Sequence, residues 1–532
     1  MISLFKSNYS KKIISAGMMM LLLVFMISPV CTFAQDPTGS HTGTFNDIDT
    51  TMSKVVDSVA LAKDTTVSQV SNNVSKLATA ITTIGNADGH NKIAINIMWT
   101  LIAGFLVMFM QAGFAMVETG FTQKKNVAHT MLMNFLIYGI GMLGFWIVGF
   151  AIMFGGALNP ATLGGASGVV GHEITLHLFG HDFGISGAAG AFLSSKYYDV
   201  GIYTLFLFQM VFMDTTATIP TGSMAERWTL KSFVIYGFFI SMFVYPLFGN
   251  WVWGGGWLAT LGTSFGLGHG HVDFAGSSVV HMVGGVAALA GAMVIGPRIG
   301  KYGPDGKVNT IPGHNIPMAI VGTFILAFGW FGFNPGSTLA GGDLRIGIVA
   351  VNTMLASAAG AFSVLLFLYA RKQKADPGMI VNGMLAGLVA ITAPCAFVTS
   401  LSSVIIGAIA GLIVIFVYNF VDRKLKIDDP VGAFAVHGAN GAWGVLSLGL
   451  FADGTYGDGW NGVPGNVKGL FYGDGKQFIA QLIGTVTCFV FVFVVMYFFF
   501  KILNKIIPLR SKPEDEIAGL DIPETGVHGY VD

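Results

Sequence analysis

The chain has 532 residues, of which 53% are hydrophobic and only 11% are charged, and its formal net charge is +0. Soluble domains carry about 25% charged residues, so an ordinary globular protein is excluded and a polytopic helical membrane protein is expected. The balanced charge gives no basis for nucleic-acid binding.

The N-terminus carries Lys6, Lys11 and Lys12, then the apolar run Met18–Ile27, then Thr32, Phe33 and Ala34. This order predicts a signal peptide over 1–34, cut near Ala34. An uncleaved anchor is the alternative, and either leaves the next segment outside the cytoplasm. Residues 35–92 are polar, yet Val67, Val70, Val74, Leu77, Ile81 and Ile84 recur at alternating spacings of 3 and 4. That stripe fits a short external coiled coil between subunits, or one amphipathic helix packed on its own subunit or on lipid.

Eleven apolar segments follow, starting near Ile93, Ala128, Asp199, Lys231, Phe274, His314, Arg345, Pro377, Ser400, Val431 and Gln477. Each is long enough for roughly 30 Å of hydrocarbon. Each must be helical, because lipid offers the backbone no hydrogen-bond partner. Loops assigned inside carry most of the Lys and Arg, in clusters such as Lys124-Lys125, Arg371-Lys372 and Arg423-Lys424. Loops between spans on the opposite side carry only Lys196, Arg345, Lys468 and Lys476. The positive-inside rule then puts the N-terminus outside and the C-terminus inside. The expected domains are a transmembrane region over 93–504 and a cytoplasmic tail over 505–532. Gly407 and Gly411 have the spacing of close helix contacts. Cys395 and Cys488 fall in apolar runs and read as buried structural thiols, and Cys31 falls in the leader.

Eleven spans divide as five, five and one, and a five-span repeat is necessarily inverted. Two span openings match. Asp273 to His281 and Asp429 to His437 both read D-x6-V-H, and both continue to a glycine, Gly285 and Gly441. Inverted repeats put transport sites at the interface between halves. Eight helical residues rise about 12 Å, so both histidines come near mid-membrane, where two imidazoles can meet. An intramembrane ionisable residue marks a functional site by default, although a single such histidine is as readily structural. A neutral pair can share a hydrogen bond and relay a proton.

Asp273 and Asp429 each precede an apolar helix, so both read as helix caps. Asp273, at the outer end, is also placed to hold a cation near an entrance. Trp253 closes the fourth span, Phe333 and Ser337 lie at the outer end of the sixth, and Phe208 and Phe212 lie in the third. Aromatic faces attract cations and a hydroxyl accepts from an N–H-bearing cation, but aromatic belts at membrane surfaces account for such residues too.

These residues fall within a longer set of motifs: MQAGFAMVETG over 110–120 with Lys125 and Asn126, MAER over 224–227, WGGG over 253–256, DFAG from Asp273 with Val280-His281, GWFGFNPGS over 329–337, and DDP over 428–430 through Val436-His437-Gly438. From about residue 93 onward the chain resembles the Amt/Mep/Rh ammonium transporter family, and its Amt branch in particular. The resemblance implies a homotrimer with one pore per subunit in the cell inner (cytoplasmic) membrane, serving nitrogen uptake. It implies an outer ammonium site of Trp253, Ser337 and Phe212 with Asp273 near it, and a phenyl gate of Phe212 and Phe333. It further implies twin pore histidines, His281 and His437, with Tyr245, Phe208 and Trp330 in support. No cofactor is implied. A PII-type signal protein is a frequent partner at the inner face. The expected mechanism is deprotonation near the outer site, passage of ammonia past a dry gate, and proton transfer along the histidines. Potassium has no proton to give up and is excluded by this scheme. Residues 35–92 and loop 155–198 lie outside the resemblance.

Three rivals remain in view. An ammonium sensor with little transport is one, although only residues 505–532 follow the last span, short for a signalling domain. Asn159-Pro160-Ala161 and Asn334-Pro335-Gly336 superficially suggest the paired turns of a water or glycerol channel. His172-Glu173 with His177 approaches a zinc-protease motif, but the second histidine stands one residue too late. With His181 and Asp182 these side chains have the chemistry of an external metal site, and ordinary loop residues are the simpler reading.

Overall fold

A computed structural model describes residues 65–530 apart from 158–160, 165–170 and 195–196. The expected signal peptide and Cys31 lie outside the described residues. So do Asn159-Pro160 and Lys196.

Eleven principal helical segments run in chain order: α1 (Thr65–Phe121), α2 (Lys124–Phe154), α3 (Val200–Ser223), α4 (Leu230–Trp253), α5 (Ser277–Ile295), α6 (Ile316–Thr338), α7 (Ile346–Ala370), α8 (Pro377–Ile391), α9 (Ser400–Leu425), α10 (434–451) and α11 (Gly475–Ile506). Among the described residues, nine are long and apolar enough to cross a membrane. The other two of the eleven expected spans are shorter or less regular. α8 has 15 residues, a rise of about 22 Å, and gives way to turns after Ile391. α10 opens with a π turn, Phe434–Ala439, before its regular part. Composition alone does not reveal where an apolar stretch leaves helical geometry.

α1 is one continuous helix of 57 residues, about 85 Å long, so the polar segment from Thr65 is a direct extension of the first span. Of its apolar stripe only the Ile81 side chain is described, and it is half-buried. The coiled-coil expectation otherwise rests on side chains outside the described residues.

Close helix contacts fall at the expected glycines. A Cβ on Gly407 would collide with the backbone of Ala356, and one on Gly411 with Gly360, both on α7. The α5–α10 crossing is as close. A Cβ on Gly285 would enter the backbone of Gly438, and one on Gly441 that of Ser277. Gly285→Ala therefore forces these helices apart. The expected cost is about 1–3 kcal/mol, seen as a lower melting temperature of the detergent-solubilised protein.

The D-x6-V-H similarity becomes a shared local structure. His281 lies in the π turn Ser277–Met282 that opens α5, and His437 in the π turn that opens α10. Glycines with positive φ, Gly276 (112°) and Gly432 (77°), stand three residues after the respective aspartates. Other side chains strain in that conformation.

The chain between α2 and α3 forms an antiparallel hairpin, β1 (Glu173–Leu178) and β2 (His181–Gly187). It lies on the Trp253 end of α4, where Asn250 donates to Glu173 and Trp251 donates to the Ile185 carbonyl. His177 and Asp182 face each other across it at 2.8 Å, both exposed. Among the described residues no three His, Cys, Asp or Glu are grouped to hold a metal. Asn334 donates to Thr353 on α7, a packing role at odds with a water-channel turn. Cys395 and Cys488 are buried free thiols.

At the opposite end of the bundle, Arg298 bonds Glu226 at 2.6 Å and Asp428 at 2.8 Å. Residues after α11 close over this end. Glu516 bonds Arg510 and the Ile299 backbone, and Asp521 caps the backbone of His129. Burial alone would raise the Asp428 carboxyl, but the Arg227 charge and hydrogen bonds from Arg298 outweigh it and hold the group well below the usual carboxylate range. A carboxyl depressed in this way contributes stability above its unfolded value, about 3.9. That contribution is lost as pH falls through the folded value. The melting temperature is expected to drop on acidification. Asp428→Asn removes this acid-sensitive part and costs about 3–5 kcal/mol at neutral pH, as breaking buried pairs does.

Candidate functional site

At the Trp253 end, a vestibule of about 390 Å³ opens between α3, α4 and α6. Its wall includes Phe208, Phe212, Trp253 and Ser337, all singled out from sequence. The Trp253 indole N–H donates to the Asp273 carbonyl at 2.6 Å, which fixes the ring. Ser337 donates its hydroxyl hydrogen to the Phe333 carbonyl at 2.7 Å. Its oxygen lone pairs therefore remain as acceptors, and the adjacent Trp253 face is attractive to cations.

The vestibule floor is a phenyl stack. Phe212 and Phe333 lie 4.1 Å apart at 25°, and Phe208 packs behind Phe212 at 4.6 Å. Both rings are buried, so the stack closes the vestibule floor. Directly beneath, the His281 ring is 5.3 Å from Phe333 and 5.3 Å from Trp330. Trp330 is held by Thr392 at 3.0 Å. The Nδ1 atoms of His281 and His437 lie 3.2 Å apart. A hydrogen bond there requires opposite tautomers, one Nδ1 protonated and donating and the other bare and accepting. His281 Nε2 is buried without a hydrogen-bond partner, so an unpaired polar nitrogen lies just below the phenyl stack. The His437 ring then leads to Phe114, 6.1 Å away.

Of the two readings of Asp273, the helix cap is the one the structure shows. Its carboxylate accepts from the backbone of Gly276, Ser277, Ser278 and Val279 and from the Ser278 hydroxyl. A carboxylate has about four lone-pair sites, so these donors consume its capacity. Asp273 builds the site from behind, through the start of α5 and through its own carbonyl on Trp253. Asp429 caps the start of α10 in the same way, accepting from Gly432 and Phe434. Tyr245 is buried against Phe145 and is not among the residues lining the vestibule.

Sequence reasoning missed Gln209, whose carbonyl oxygen is buried without a partner beside the vestibule. Its position between Phe208 and Phe212 was the available signal. Trp460 was also missed. It packs on Phe274 at 6.1 Å from a loop far along the chain, and nothing local in the sequence marks it.

A bundle with nine helices long and apolar enough to cross a membrane among the described residues, and with paired histidines buried beneath an aromatic vestibule, defines a multi-pass membrane protein with a candidate site in its interior. Residues 98–530 match the Ammonium Transporter Family, and the chain belongs to that family. It is 46% identical over 441 residues to ammonium transporter Amt2 of Archaeoglobus fulgidus, covering 82% of this chain and 89% of that protein. Ammonium transporter Amt1 of Haloferax mediterranei is 35% identical, with 82% and 79% covered. Among solved structures, a sensor Amt protein superposes with a TM-score of 0.71 at 38% identity, covering 82% of this chain and 99% of that one. Mep2 of Candida albicans superposes at 0.65 and 25% identity, covering 79% and 87%.

Proposed function

We propose that this chain transports ammonium across the cytoplasmic membrane as a homotrimer, spanning it eleven times with the N-terminus outside. The observation that carries this reading is the unbroken series Trp253, Phe212, Phe333, His281 and His437 beneath the vestibule. Ammonium leaves water at Trp253 and Ser337, where cation–π and hydrogen-bond contacts replace part of its hydration. A bare ion is very costly beyond the phenyl gate. The ion therefore gives up a proton near the vestibule, ammonia passes Phe212 and Phe333, and the proton moves separately through His281 and His437. Reprotonation on the inner side completes net ammonium uptake, with a PII-type protein as a regulator of the inner face.

The test is a solid-supported-membrane current after an ammonium jump on proteoliposomes, with a potassium jump as control. A current for ammonium alone supports the reading. Alkalinisation without current means a neutral ammonia channel. The similarity to a sensor Amt protein favours a second reading, an ammonium sensor. Tight ammonium binding with neither current nor alkalinisation would select it.

A further inference from the structure

α1 brings to the pore a carboxyl group that the proton route above does not use. Phe114 and Glu118 stand four residues apart on α1 and so share one helix face. Phe114 is the ring next to His437, and Phe114, Glu118 and His437 line one cavity of about 20 Å³. A space of that size holds about one water molecule. α1 runs away from the Trp253 end, so Glu118 lies about one turn deeper than Phe114. Its partner Thr221 lies nine residues beyond the gate residue Phe212 on α3, about 13 Å further along. Glu118 thus sits on the inner side of the histidines.

The group is held in place by hydrogen bonds and not by an ion pair. Thr221 donates to it at 2.6 Å and Asn134 at 2.7 Å. Asn134 is steadied in turn by Gln111 at 2.7 Å. Among the described residues Glu118 forms no ion pair with a Lys or Arg, and it is only 3% exposed. The titratable groups around it are His437, Asp429 on the segment before α10, and Tyr236 on α4. Tyr236 gives its hydroxyl hydrogen to the Ala217 carbonyl, and Asp429 is engaged as a helix cap. That leaves Glu118 as the carboxyl on the cavity it shares with the inner histidine.

We propose that Glu118 is the proton acceptor between the twin histidines and the inner aqueous face. The inference rests on the proton route proposed above. In that route ammonium gives up H⁺ near the vestibule and becomes ammonia, and the imidazole pair takes up that H⁺. The protonated pair passes H⁺ from His437 through one water to the Glu118 carboxylate, which becomes a carboxylic acid. The acid releases H⁺ to inner water, where ammonia takes it up. No electron moves, and each group returns to its starting state.

The test compares ammonium-jump currents of Glu118→Gln and Glu118→Asp over a range of pH, beside the His281→Ala/His437→Ala variant. Glutamine keeps the shape but takes no proton, so its current is expected to fall about tenfold or more. Aspartate is expected to restore current with a displaced pH profile. Melting of the solubilised Gln variant separates loss of transfer from loss of fold. If that variant does not fold, the Asp profile decides: displacement supports the role and an unchanged profile overturns it. A Gln variant conducting like wild type, while the double-histidine variant does not, overturns the inference and leaves the histidine route standing. Losses that scale equally at every pH in both Glu118 variants make it a structural anchor, which also overturns it. If the double-histidine variant keeps its current, the proton route falls and this role falls with it.

Discussion

His281→Ala combined with His437→Ala is expected to abolish most of the ammonium-evoked current. The two rings meet through Nδ1 atoms 3.2 Å apart, in a buried stretch with Phe333 and Trp330 on one side and Phe114 on the other. Alanine leaves no group there that binds a proton, and a desolvated charge is very costly in such surroundings. Loss of positioned acid–base groups costs about 100-fold or more. The measurement is the peak current in proteoliposomes of equal protein content. Neutral ammonia has no need of the relay, so residual alkalinisation in the variant would locate the loss in proton transfer. Equal currents in variant and wild type would contradict the relay.

Asp273→Ala is expected to cost the most stability of any change at the site. The Asp273 carboxylate satisfies four backbone N–H groups and the Ser278 hydroxyl, all buried. Truncation strands these donors where water does not readily reach them. A lost cap costs about 1 kcal/mol, and each stranded buried donor about 1–3 kcal/mol. A total on the order of 3 kcal/mol follows if some donors find other partners. Because α5 opens with the turn that carries His281, the current should fall with the melting temperature. Asp273→Asn keeps one acceptor oxygen and should be milder in both. A variant that melts like wild type but binds ammonium weakly would instead restore a direct cation-attracting role for Asp273.

The regular features of this protein were legible because they depend on local patterns. Apolar stretches bounded by Lys and Arg located the helices, and Asp273 and Asp429 stood where caps stand. The spacing D-x6-V-H placed His281 and His437 at equal depths, and the structure joins them at hydrogen-bond distance. The resemblance added Trp253, Ser337, Phe212 and Phe333, which do surround one vestibule and its floor.

The sequence by itself therefore determined the membrane class, the family and the paired histidines, since hydropathy, charge and ordered motifs are written residue by residue. Only the tertiary structure decided which polar groups face the pore and which are consumed in building it. The Asp273 carboxylate turns to backbone N–H groups rather than to the vestibule. Gln209 and Trp460 reach the vestibule, and Glu118 reaches the cavity below His437. A side chain's partners depend on the rotation and crossing of helices distant in sequence. α5 and α10 approach closely only because Gly285, Gly438 and Gly441 carry no side chain at their crossing.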